Sequence, residues 1–195
     1  MTKVRDDSTT TMEALDAFIA QVGAQYDALE QALAPVDEKI ADLQKDWDLR
    51  PVAFWNPILK TFIPSIRAAS VGCMDLFNGK QLPIPFILDS AVTINNYTCN
   101  LRCIGEKVEE AGILLTAYLH TKVCTSIEKQ IRERQRMMHA LLALSQAVHD
   151  AVDDGRLRLK RASEEHRKLF SGTPHQTPEH QPRLRVVESE QGSHE

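Results

Sequence analysis

The strongest pattern in the sequence lies in residues 86–154, where apolar side chains recur at steps of three and four. No proline occurs between Pro85 and Pro174, so nothing in this stretch forces a helix to end. The repeating apolar positions are Ile94, Tyr97, Leu101, Ile104, Val108, Leu115, Leu119, Val123, Ile127, Ile131, Met138, Leu141, Val148 and Val152. This spacing is one face of an α-helix. It predicts a single very long helix over 86–154, on the order of 100 Å at 1.5 Å per residue.

The repeat has two weak points. The regular seam reaches Tyr118 and then meets Lys122, and the apolar face moves to neighbouring positions, which indicates a stutter in the supercoil. Gly105 and Gly112 each cost about 1 kcal/mol relative to alanine in a helix. We therefore expect any bend of the long helix near these glycines.

A second repeat precedes it and is the most regular in the chain. Its steps alternate between four and three without a slip through Leu15, Ile19, Val22, Tyr26, Leu29, Leu33, Val36, Ile40, Leu43 and Trp47. Pro35 lies inside the repeat and costs about 3 kcal/mol, whereas each buried apolar side chain contributes about 1.5–3 kcal/mol. The pattern predicts a bent helix over 12–49 or, alternatively, two collinear helices that break at Ala34 and Pro35.

The remaining segments are shorter. Pro51 and Pro57 predict a loop or a single turn over 52–56, and helical spacing resumes from Pro57 to the cap at Asn78 and Gly79. A short basic helix over 156–170 follows the long one. We expect residues 1–10 and 171–195 to be disordered, which leaves one helical domain over 11–170.

Together these lengths predict an all-α, elongated antiparallel helical hairpin. Helices 12–49 and 57–78, placed end to end, roughly match the long helix, so 57–78 would lie beside 88–108 and 12–49 beside 118–152. Residues 1–54 carry an excess of acidic side chains and 106–170 an excess of basic ones, which favours the same pairing. A two-helix coiled coil leaves much of its seam exposed, so we expect two hairpins to pair into a helical bundle.

One apolar region over 52–88 has few charges, and in the hairpin it forms one end of the rod. Its aromatic side chains are Phe54, Trp55, Phe62, Phe77 and Phe86, and we call these five residues the apolar tip. Clustered exposed apolar residues favour docking of another protein or contact with a membrane, and they are also typical of a local core.

A basic cluster follows the long repeat and could contact anions. Arg156, Arg158, Lys160 and Arg161 lie past the expected partner helix, so we predict no acidic side chains opposite them. A solvated face is the simpler interpretation, and nucleic acid is disfavoured because no aromatic residues are interleaved for base stacking.

Cysteine and histidine spacing gives one weak metal hypothesis. Cys99 with Cys103, and His120 with Cys124, are pairs four residues apart, which together make a Cys₃His ligand count. On one continuous helix the two pairs lie roughly 30 Å apart, so packing thiols are the simpler interpretation. We expect no metal and no cofactor.

Recognisable catalytic motifs are absent from the sequence, including a phosphate loop, His-Glu-x-x-His and a nucleophile elbow. The start of the chain has no apolar export segment, so we expect a cytoplasmic location, with membrane association as the variant. The leading hypothesis is a non-enzymatic coiled-coil scaffold or assembly subunit that binds itself or a larger complex. The alternative is a membrane-inserting or membrane-binding helical protein that uses residues 52–88.

Overall fold

The computed structural model describes residues 3–45, 51–77, 91–121 and 126–171. The elements in these ranges are α1 (Lys3–Lys45), α2 (Val52–Pro57), a π-helical segment (Ile58–Phe62), α3 (Ile63–Phe77), α4 (Ala91–Thr121) and α5 (Ile127–Ser171). No strand occurs within the ranges described, so the predicted all-α class is confirmed for that part of the chain.

Helix α1 confirms the N-terminal repeat. The repeat positions from Leu15 to Leu43 are buried apart from Ile19, which is partly buried beside the buried Phe18. The helix continues through Pro35, so burial of the apolar face outweighs the hydrogen bond that proline removes. Helix α1 includes residues 3–10 of the segment expected to be disordered, whereas Trp47 and residues 172–195 of the expected tail lie outside the described residues.

The segment from Val52 to Phe77 is helical throughout. Residues 52–56, expected to form a loop or a single turn, belong to α2, which continues through the π-helical segment into α3. Pro64 has no N–H to donate to the carbonyl four residues earlier, and the Ile63 N–H instead donates to the Ile58 carbonyl, five residues back. The wider π turn therefore accommodates the proline within the helix.

The single helix predicted over 86–154 is wrong. The chain forms two helices, α4 and α5, and these pack against each other, which two halves of one straight helix cannot do. Helix α4 is continuous through both glycines and ends at Thr121, one residue before Lys122, and α5 begins at Ile127. Helix α5 then passes through Gly155 to Ser171, so the separate helix expected over 156–170 is its continuation.

The four long helices form an up-down-up-down bundle. Helix α1 packs on α3 and α5, and α4 packs on the same two helices, so α1 and α4 lie diagonally opposite. Two contacts in each pair of neighbours fix the directions. Between α1 and the segment 52–77, Phe18 meets Phe77 and Lys39 lies over Phe54, and on α4 Tyr97 meets Phe77 and Tyr118 meets Trp55. Between α1 and α5, Asp37 meets His149 and Asp27 meets Arg156, and α4 places Tyr97 near Arg158 and Tyr118 near Arg134 of α5. All neighbouring helices are therefore antiparallel.

This arrangement corrects the predicted hairpin. Helices 12–49 and 57–78 were expected to be collinear, but α1 and α3 lie side by side. The expected neighbours are otherwise observed, since α3 contacts α4 and α1 contacts α5. One chain supplies all four helices of the bundle, so the buried seam that we expected between two hairpins forms within a single molecule.

Candidate interaction site

The five residues of the apolar tip do not form one exposed surface. Trp55 is 0% exposed, with its ring 5.8 Å from that of Tyr118, whereas Phe77 is 1% exposed and stacks on Tyr97 at 4.5 Å. These two contacts lie at opposite ends of the helical segment 52–77. Phe54 and Phe62 are partly buried against the core, and Phe86 lies outside the described residues. The aromatic side chains described here therefore serve mainly to pack the bundle.

The basic cluster is divided between ion pairs and solvent. Arg156 pairs with Asp27 and, at 3.0 Å, with Glu30, both on α1. The hydrogen bond to Asp27 raises the pKa of Arg156. Our expectation that no acidic side chains lie opposite this cluster was wrong, because the bundle brings the acidic face of α1 beside α5.

Arg158 also pairs within the chain, donating from Nε to Asp154 one turn earlier at 2.8 Å. Lys160 and Arg161 are exposed. Asp37 of α1 accepts a hydrogen bond from Ser145 at 2.6 Å and contacts His149 at 2.9 Å. The acidic residues of α1 thus pair with basic residues of α5. These partners, His149 and Arg156, lie in the middle and C-terminal part of α5.

The proposed metal ligands remain apart. Helix α4 is continuous through Gly105 and Gly112, so Cys99 and Cys103 stay about 25–30 Å from His120 along its axis. All three side chains are exposed, and Cys124 lies outside the described residues. Among the residues that the structure describes, no group of three or more His, Cys, Asp or Glu side chains could hold a metal ion.

Several titratable groups lie in the core, where burial favours their neutral forms. Burial raises the pKa of the Cys73 thiol to about 11 and that of Tyr97 to about 12. Burial also raises the pKa of Tyr26. A thiol held neutral in this way is a poor nucleophile, so Cys73 acts as a packing residue.

A concave, largely apolar surface runs between α3 and α4, and the sequence analysis did not predict it. This α3–α4 groove has a volume of about 1010 Å³ and is lined by Leu59, Ile63, Pro64, Arg67, Ala68, Val71, Val108, Glu109, Gly112, Ile113, Thr116, Ala117 and His120. A smaller depression of about 250 Å³ shares Arg67, Val71 and Glu109 with it and extends to Met74 and Leu101. The two form one trough along both helices, about 28 Å long from Leu101 to His120.

Apolar side chains flank the groove, and small residues widen it. Val71 on α3 is 50% exposed and Ile113 on α4 is 68% exposed, although both belong to large apolar residue types. Ala68, Gly112 and Ala117 also line it, and a Cβ atom added at Gly112 would meet open space. The groove therefore has an apolar surface of small residues that the backbone of another helix can approach closely.

One ion pair joins the two sides of the groove. Arg67 of α3 donates to Glu109 of α4, and the two side chains are 55% and 61% exposed. Deeper between the helices, the Ser70 hydroxyl donates to the Leu101 carbonyl at 3.3 Å. These contacts hold α3 and α4 in register, and the exposed charges remain available to a molecule that enters the groove.

The sequence held a signal for this groove. Gly105 and Gly112 are one heptad apart, and they leave gaps in the surface of a continuous α4 instead of bending the helix as helix propensity predicts. Ile113 lies off the buried stripe of α4, so periodicity alone assigned it no role. Only the packing of α3 beside α4 shows that Gly105, Gly112 and Ile113 face the same trough as Val71 of α3.

None of the helices in the described part of the chain combines sufficient length with sufficient apolar character to cross a bilayer.

Comparisons with protein-family models, with curated proteins and with solved structures found no match to this chain.

Proposed function

We propose that this protein is a non-enzymatic assembly subunit that binds an amphipathic helix in the α3–α4 groove. The observation that supports this proposal is the α3–α4 groove of about 1010 Å³, whose lining includes the exposed Val71 and Ile113. Helix-in-groove binding requires an apolar trough a few turns long, with anchor side chains spaced along it. The whole trough from Leu101 to His120, which joins the groove to the smaller depression beside it, accommodates about five helical turns, since each turn rises about 5.4 Å.

The energetics favour burial of this surface. Fully burying a valine or isoleucine side chain contributes about 1.5–3 kcal/mol, so covering the exposed half or more of Val71 and Ile113 contributes about 2–3 kcal/mol in total. This gain must exceed the free energy that association costs, so the partner has to contact the rest of the groove as well. An amphipathic helix that places one apolar face along the whole trough meets that requirement.

Photo-crosslinking in the cells that make the protein tests the proposal. A photoreactive benzoylphenylalanine replaces Ile113 in the groove, and in a matched variant it replaces Gln31, an exposed residue of α1 on the opposite side of the bundle. We expect a discrete cross-linked product from position 113 and none from position 31. Equal, diffuse labelling from both positions would show that the groove holds no partner, and the proposed function would be wrong.

A further inference from the structure

We propose that the helix-binding face is self-complementary, and that the partner in the α3–α4 groove is the same face of a second copy of this chain. This inference rests on the proposed function. The two copies are related by a two-fold axis parallel to the helices, so that α3 of each copy lies over α4 of the other. The order of charges along the two helices supports this occupant.

The register of α3 against α4 is known from three contacts. Trp55 lies beside Tyr118, Arg67 beside Glu109, and Phe77 beside Tyr97. Positions on the two helices can therefore be compared by height along the bundle. Arg67 is level with Glu109, and Asp75 is about one turn from the level of Arg102.

Exposed charges on the outer sides of the two helices alternate in a matching order. Helix α3 carries the basic Arg67 and then the acidic Asp75, whereas α4 carries at corresponding heights the acidic Glu106 and Glu109 and then the basic Arg102. Helical spacing places Arg67, Val71 and Asp75 on one face of α3. It likewise places Arg102 and Glu106 on one face of α4.

A two-fold axis parallel to the helices preserves height and exchanges α3 with α4. Arg67 then lies opposite Glu106 and Glu109 of the second copy, and Asp75 lies opposite its Arg102. Symmetry repeats each pairing, so four zones of opposite charge surround the apolar centre.

The apolar residues agree with the same axis. Val71 is level with the turn that contains Gly105, and a Cβ atom added at Gly105 would meet open space. The valine side chain of one copy therefore has room above the α4 backbone of the other. An axis perpendicular to the helices, passing through the middle of the groove, instead brings Arg67 onto Arg67 and Glu109 onto Glu109, where like charges repel.

Charge reversal in trans provides the test, with sedimentation equilibrium of the purified full chain as the measurement. Arg67→Glu alone and Glu109→Arg alone each create like-charge contacts in a homodimer, so each raises the dimer dissociation constant by about tenfold or more. A mixture of the two variants restores opposite charges between the chains. We expect the mixture to form a heterodimer with an affinity within about threefold of wild type.

The rescue cannot arise inside one chain. Within each variant the 67–109 pair still carries like charges, so only contact between two chains can restore the attraction. Glu38→Arg and Arg161→Glu, at exposed positions on α1 and α5, are the matched controls and should dimerise as wild type does. Circular dichroism of each variant establishes that the bundle is folded.

Two outcomes would overturn this proposal. The first is a mixture that associates no better than the single variants. The second is a wild-type chain that stays monomeric at every concentration while position 113 still cross-links in cells to a different protein, and this result would leave the proposed function standing.

Discussion

Replacing Gly155 by alanine should destabilise the bundle, although the same substitution at another helical glycine should stabilise it. Gly155 is buried in the middle of α5, directly against the ring of Tyr26 from α1. A Cβ atom at this position would lie 2.3 Å from the Tyr26 Oη and 2.4 Å from its Cζ. Tyr26 is 1% exposed, so its ring has little space into which it can move.

The magnitude follows from two opposing contributions. The alanine methyl group requires the tyrosine ring to shift by about 1 Å, and overpacking of this kind costs about 1–3 kcal/mol. Alanine returns about 1 kcal/mol through its higher helix propensity. The hydroxyl oxygen and two ring carbons of Tyr26 are affected, so we expect a net loss near the upper limit of about 2 kcal/mol.

Gly23 is the matched control, because it lies within α1 and a Cβ atom there would meet nothing within 4 Å. Gly23→Ala should raise the unfolding free energy by about 0.5–1 kcal/mol. The difference between the two substitutions isolates the packing cost, since the propensity contribution is common to both. Urea unfolding followed by circular dichroism measures each value.

A double-mutant cycle with Tyr26→Leu identifies the cause. Without the ring, the methyl group at position 155 meets a smaller and more flexible side chain, so Gly155→Ala should become neutral or stabilising. If Gly155→Ala stabilises the wild-type chain as much as Gly23→Ala does, the close approach of Tyr26 to the α5 backbone is refuted.

Two further predictions concern titration and the contact between α1 and α5. Burial raises the pKa of Cys73 from 9.0 to about 11 and that of Tyr97 from 10.0 to about 12, so the native state retains protons that the unfolded chain releases. This stabilisation is complete below about pH 9 and is lost as the pH rises towards 12. Urea unfolding at pH 8, 9, 10 and 11 measures the loss of unfolding free energy. A constant unfolding free energy across that series would contradict the prediction. Asp37→Asn removes the carboxylate that contacts His149 and Ser145, so it should lower the unfolding free energy by about 0.5–1.5 kcal/mol. An unchanged unfolding free energy would show that these contacts are not stabilising.

Local patterns predicted the helices and their buried faces well. The repeat from Leu15 to Leu43 identified the core side of α1 even through Pro35, because period and burial depend mainly on neighbouring turns. The pairing of α3 with α4 and of α1 with α5 also followed from length and charge. These features need no knowledge of how the chain turns.

The end of α4 and the start of α5 could not be identified from periodicity. Residues 122–125 contain neither glycine nor proline, and apolar residues continue through Leu119 and Val123 to Ile127 with only a stutter at Lys122, which a single helix can also contain. Both helices contribute the same kind of apolar face to one core, so their patterns join almost without interruption. Once the chain folds back, a predicted two-chain seam becomes the interior of a four-helix bundle.

Gly155 and the α3–α4 groove were missed for a related reason. The apolar pattern weakens at Gly155 because the backbone itself, rather than a side chain, meets Tyr26 there. The groove depends on two helices far apart in sequence that lie side by side, so neither helix contains its pattern alone. The aromatic residues of the expected apolar tip were conspicuous in the sequence, yet Trp55 and Phe77 are buried.

Sedimentation equilibrium of Gly112→Trp, beside wild type and Gly23→Trp, tests docking of a second copy at the α3–α4 groove most directly. Position 112 opens onto unoccupied space in the groove, so an indole can fill the trough without disturbing the core, whereas position 23 is equally open but lies on α1. We predict that wild type and Gly23→Trp form dimers and that Gly112→Trp remains a folded monomer at the same concentrations. A Gly112→Trp chain that dimerises as strongly as wild type would contradict self-association through this groove.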